Sequence, residues 1–318
     1  MAKSTTTSKS QSSSNTDDST TVPFLARQWL KLYHSVPRIN LPGTNVRFGF
    51  VLVSAIFLFT VRSLAKPVYV SGFGWPADER ATDMAAASVA SICHSSLLCA
   101  ALIVAFLNYK FTPCGRLDQA PIWWQDFVDA ILAFCTGYMV YDTVFNLIYL
   151  NWDSDLNMPV LDFGDYLFLG HHFATSSYMT SARIIRAGYM SAMSCMLLGE
   201  ITNPLHNSWF ITTYAKEVPD YVYGEKMQAF EAAVEALFAP AYLAMRSFIA
   251  PCVFLCVTYD LIFTKQGRAN IPLGLNLYWN FLIWAVVFGS YFEIVKTWDI
   301  VARVYFGSSS ESGGGQEL

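Results

Sequence analysis

Apolar residues in this chain gather into seven runs. They predict crossing helices at residues 45–61, 84–107, 127–150, 163–182, 188–201, 230–263 and 273–295. A helix rises about 1.5 Å per residue, so about 20 residues cover the hydrocarbon of a bilayer. The fifth run is short by that measure. Arg47 and Arg62 flank the first run and can snorkel, while Trp123 and Trp124 introduce the third at an interface. Pro240 and Pro251 predict kinks in the sixth. After the fifth run, Asn203-Pro204 and Asn207-Ser208-Trp209 read as a helix stop, with His206 in a loop and Trp209 anchored at the interface. Residues 24–33 alternate apolar and basic side chains, as an interfacial helix does. The predicted division is a disordered Ser/Thr-rich tail at 1–22, an interfacial segment at 23–45, a transmembrane domain at 46–306 and a disordered tail at 307–318.

Composition agrees with this pattern. The 318 residues are 54% hydrophobic and 14% charged, with a mean hydropathy of +0.35, whereas a soluble domain is about a quarter charged. The fold class is therefore all-α and polytopic. A net charge of −4, without a basic stripe or aromatic RNA-binding motif, argues against a nucleic-acid partner. Seven cysteines include no CxxC pair, so neither a zinc site nor a disulfide framework is implied. The first tail has no Arg and carries Asp17 and Asp18, unlike a transit peptide. The terminal Gln-Glu-Leu is not an ER-retention signal. Orientation follows from Lys and Arg in the loops. Arg27, Lys31, Arg38, Arg47, Arg183, Arg186, Lys265 and Arg268 predict a cytosolic amino terminus by a modest bias, since Arg62, Lys66, Arg80, Lys216 and Lys226 fall on the other side. If the short fifth run does not cross, the carboxyl end changes side.

Ionisable groups inside apolar runs cost roughly 2.5–3.5 kcal/mol each near the bilayer centre, so they need a reason. The groups that stand out are His94, Asp142, the adjacent His171 and His172, and Glu200. Neighbours on a helix point about 100° apart, so the two histidines cannot face one partner alike. A neutral imidazole beside a carboxylate can act as general base toward an amine or hydroxyl, with Asp142 and Glu200 holding the ring tautomer. The competing reading is a buried histidine–carboxylate network that ties helices together. A metal has little support. The chain has only five histidines, too few for the HxxxH and HxxHH sets of a di-iron hydroxylase, and no spacing demands a zinc. Nucleotide-binding and nucleophile-elbow motifs are absent.

Four segments carry a resemblance. Ser91-Ile92-Cys93-His94, Gly137-Tyr138 followed by Asp142, Gly170-His171-His172, and Leu198-Gly199-Glu200-Ile201-Thr202-Asn203-Pro204 with Asn207 and Trp209 occur in one order. In that order the chain resembles the TLC-domain membrane proteins, which include the ceramide synthases, over residues 46–306. The synthase signature has a His where this chain has Gly199 and an Asp where it has Asn203, so the non-synthase group is the better likeness. The resemblance implies six or seven helices around a polar-lined cavity that lipid can enter. It implies catalytic or polar roles for His171, His172, Asp142 and Glu200, and lipid contacts for His94, Tyr138, Asn203, Asn207 and Trp209. The expected function is lipid homeostasis by binding, sensing or modifying a membrane lipid, in the endoplasmic reticulum or plasma membrane. No cofactor or metal is expected, and a homo-oligomer is compatible with the reading. The alternative is an acyl-CoA-dependent N-acyltransferase of sphingolipid metabolism, with His171 or His172 as base and acyl-CoA as co-substrate.

Overall fold

The computed structural model describes residues 22–307 apart from 78, 111–113, 149–150, 154–157 and 162. The two tails read from the sequence lie outside these residues, save Val22 and Gly307 at their inner ends. Helix α1 (Phe24–Ser35) starts behind Pro23, buries Ala26 and Tyr33, and leaves Phe24 and Leu32 exposed. It is the amphipathic helix that residues 24–33 predict.

Helix α2 (Gly49–Pro67) runs into a wide π-type turn at Val68–Gly72. Helices α3 (Arg80–Leu107) and α4 (Ile122–Ile148) follow. A small antiparallel hairpin, β1 (Asn151–Asp153) with β2 (Met158–Val160), leads to α5 (Phe163–Ile185). Helices α6 (Tyr189–Glu200) and α7 (Asn203–Glu217) come next. Then α8 (Glu225–Leu243) joins α9 (Ala250–Phe263) through a π-type turn at Ala244–Ile249. After the short α10 (Lys265–Asn270), α11 (Leu273–Gly289) continues into α12 (Tyr291–Phe306). Among the described residues, five stretches are long and apolar enough to cross a membrane: Gly49–Gly72, Arg80–Leu107, Ile122–Ile148, Glu225–Phe263 and Leu273–Phe306. The protein is an all-α polytopic membrane protein, with the hairpin as a minor connecting feature.

The structure corrects the expected helix stop at residues 203–209. Pro204 has no N–H for the carbonyl four residues back, so the helix breaks for two residues. It restarts with Pro204 in its first turn, where proline is tolerated. His206 therefore lies on a helix, stacked 4.7 Å from the Phe238 ring. At 12 and 15 residues, α6 and α7 together cover about 40 Å, although neither belongs to the five stretches apolar enough to cross. The seventh likewise runs on past Val295 to Phe306, bending at Ser290. In the sixth, the departure from α geometry is the turn at Ala244–Ile249, just ahead of Pro251.

Small residues set how closely these helices approach. A Cβ on Gly137 would lie 2.6 Å from both Ser54 Cβ and the Val51 carbonyl, so α2 and α4 touch backbone to backbone there. Ala81, Ala85 and Ala86 give α3 a small-residue face that packs beside buried Ala215 of α7. This is how membrane helices gain contact when lipid offers no hydrophobic drive for association.

Hydrogen bonds fix which helix ends share a face. Leu117 N donates to Arg186 O at 2.8 Å, Asn270 Nδ2 to Cys114 O at 2.9 Å, and Arg183 Nη2 to Arg47 O at 2.8 Å. The start of α2 and the α3–α4, α5–α6 and α9–α11 connections thus share one face with α1. The hairpin and the starts of α3 and α8 lie at the other.

Candidate functional site

Two histidine–carboxylate pairs stand side by side in the bundle. His172 on α5 has Nε2 3.5 Å from Asp142 Oδ2 on α4, and its Nδ1 hydrogen-bonds Thr143 Oγ1 at 2.9 Å. His94 on α3 has Nδ1 3.7 Å from Glu200 Oε2 at the end of α6. Both separations are longer than a direct hydrogen bond. Tyr138 links the pairs. Its ring lies flat on His94 with centroids 3.9 Å apart, stands 6.4 Å from the His172 ring at 63°, and its hydroxyl meets Ser91 Oγ at 2.7 Å. Each carboxylate also has an amide donor: Asn203 Nδ2 reaches Glu200 Oε2 at 2.8 Å, and Asn146 Nδ2 reaches Asp142 Oδ1 at 3.3 Å.

Apart from His94 and Thr143, these groups border a cavity of about 730 Å3. Its walls come from the first half of α3, the last third of α4, the first half of α5, α6–α7, and the bends of the two longest helical rods. The chamber thus occupies the hairpin half of the bundle. Its rim between α5 and the α11–α12 bend is apolar and exposed, with Phe173, Phe281 and Phe292. The bend at Ser290 carries α12 across to pack on α8, where Arg303 pairs with Glu235 at 2.8 Å.

Seven residues singled out from the sequence line the chamber: Tyr138, Asp142, His171, His172, Glu200, Asn203 and Asn207. Two do not. His94 is wholly buried behind Tyr138, and Trp209 turns to α8, where Nε1 donates to Glu235 Oε1 at 3.3 Å. His171, as the 100° offset requires, takes neither carboxylate. It faces the chamber and a smaller apolar cleft of about 50 Å3 between α5, α6, α9 and α11.

Arg246 was missed. It lies in the π-type turn and donates through Nη2 to Gly199 O at 2.6 Å. It borders both the chamber and the cleft, next to Glu200. The signal was available, since an arginine between Pro240 and Pro251 in an apolar run is costly unless it faces a polar interior. No group of three or more His, Cys, Asp or Glu side chains suited to a metal ion occurs among the described residues.

A family model, the TLC domain, matches residues 84–301. The chain belongs to the TLC-domain family. The match begins inside α3, so α1 and α2 precede the matched part of this TLC-domain protein, although the likeness read from the sequence starts at residue 46. Every residue that lines the chamber falls within the match. No curated protein and no solved structure matches the chain.

Proposed function

We propose that this TLC-domain protein binds a membrane lipid in the chamber and acts in lipid homeostasis. The observation that carries this reading is a mainly apolar pocket of about 730 Å3 with a cluster of polar groups at Asp142, His172, Glu200 and Asn203, a lining that takes a polar headgroup at the cluster and leaves its chains along the apolar walls and rim. Asp142, Glu200 and Asn203 supply acceptors and a donor for the headgroup, and His171 and Arg246 stand where the chamber meets the apolar cleft. An endoplasmic reticulum or plasma membrane location and a lipid of the sphingolipid class are parts of the same proposal. The test is purification in mild detergent followed by mass spectrometry of retained lipid. One lipid class enriched in the wild type and depleted in His171→Ala or Glu200→Gln supports the reading. Equal, non-selective lipid in all three overturns it.

The acyltransferase reading keeps one supporting observation: His172 is held by Thr143 on one side and faces Asp142 on the other. That posture suits a base that takes the proton of an amine attacking an acyl-CoA thioester, with CoA leaving as the thiol. Two observations favour the binder instead. Asn203 donates to Glu200, whereas an acid there would compete with it. The chamber also lies in the hairpin half, away from the face that carries Arg27, Lys31, Arg183, Arg186 and Lys265, and the positive-inside rule makes that basic face cytosolic. Release of free CoA from acyl-CoA and a long-chain amine by the purified protein would decide for transfer.

A further inference from the structure

We propose that the α1 face carries a second binding site, specific for a phosphate group. It is a cavity of about 320 Å3 between the turn at residues 43–47, the start of α4 and the end of α5. Three guanidiniums, those of Arg47, Arg183 and Arg186, line it with two carboxylates, Asp126 and Asp129, leaving one positive charge. The carboxylates are already engaged. Asp129 takes Arg183 Nε at 2.7 Å and Nη2 at 3.1 Å, and also the Tyr33 hydroxyl. Asp126 lies 3.3 Å from His34 Nε2.

The remaining cations are less committed. Arg47 lies over the Tyr33 ring, 4.4 Å from its centroid, and makes no ion pair among the described residues. Arg186 is exposed, donates to the neutral Gln125 Oε1 at 2.5 Å, and feels the Asp118 carboxylate without a direct ion pair among the described residues. The docking of α1 onto α4 explains Tyr33, Asp129 and Arg183. It does not need Arg47 or Arg186, nor an open polar space beside them. A planar fork of N–H donors matches phosphate oxygens two at a time, so two loosely held arginines at the wall of a polar cavity suit a phosphate. The position agrees with this. By the positive-inside rule this face is cytosolic, where anionic lipid is concentrated and basic pockets between helices take headgroups. The phosphate belongs either to a lipid headgroup or to a soluble phosphate compound.

The full chain, delipidated and held in detergent, tests both sources. Native mass spectrometry reads retention of phosphatidic acid against phosphatidylcholine, and calorimetry reads inorganic phosphate. Arg47→Gln, Arg186→Gln and the double variant are compared with wild type, and melting curves establish that each is folded. The expected result is a loss of roughly fivefold in affinity per arginine for whichever probe binds. Arg186→Gln, at an exposed position, keeps the test open if the Arg47 variant is unstable. Phosphatidic acid binding alone identifies a lipid headgroup as the source, and phosphate binding alone identifies a soluble one. Wild type and folded variants that bind both probes equally, or bind neither, would overturn the proposal.

Discussion

Asn203 holds Glu200: its side-chain amide donates to Oε2 at 2.8 Å, across the break between α6 and α7. The two residues sit three apart, so the broken helix supplies its own acid with a donor at the chamber wall. Removing the amide with Asn203→Ala leaves a buried carboxyl oxygen short of a partner, at a cost of about 1–3 kcal/mol. Thermal melting of the purified protein in detergent checks this. An unchanged midpoint would show that the bond contributes nothing.

The adjacent histidines are expected to separate in their effects. His172 is buried between Asp142 and Thr143, whereas His171 is half-buried and borders two cavities. His172→Ala strips a buried pair and lowers stability by about 1–3 kcal/mol. His171→Ala widens a cavity and leaves the melting midpoint nearly unchanged, while retained lipid falls. Identical melting and lipid profiles for the two variants would contradict this division.

Gly137 and Gly170 make a matched pair. An alanine at 137 meets Ser54 Cβ and the Val51 carbonyl at 2.6 Å, while one at 170 finds nothing within 4 Å. Gly137→Ala forces α2 from α4 and costs about 1–3 kcal/mol by overpacking. Gly170→Ala is accepted without loss from crowding. Parallel unfolding curves read the difference directly.

Much of the bundle was legible in the sequence because apolar length alone announces a crossing helix. Runs such as 84–107 and 127–150 nearly coincide with α3 and α4. Helix α7 was not legible, because Asn203, Pro204, His206, Asn207 and Ser208 look like a turn to any local rule. They are helical because neighbouring helices half-cover them and the Pro204 break needs only two residues. The ionisable groups themselves were visible, but their partners were not. Pairing His94 with Glu200 and His172 with Asp142 depends on register between helices far apart in sequence. For the same reason nothing local foretold that Tyr138 would stand between His94 and the chamber.

Cys114, between α3 and α4, tests the packing of the α1 face. Burial, and after it the Asp260 carboxylate, push its thiol up to about 12. The raised value keeps the neutral thiol at pH 8, and the thiolate is the reactive form. Maleimide at pH 8 should leave Cys114 unmodified in the folded protein and label it after denaturation. Peptide mapping by mass spectrometry reads this residue alone. Rapid labelling before denaturation would mean that the connection around it is open.

The break at Thr202 has a consequence far from the chamber. Because the helix resumes there instead of stopping, α6 and α7 carry the chain from the α5–α6 turn to the start of α8. The turns before α6 and after α7 therefore open at opposite ends of the bundle.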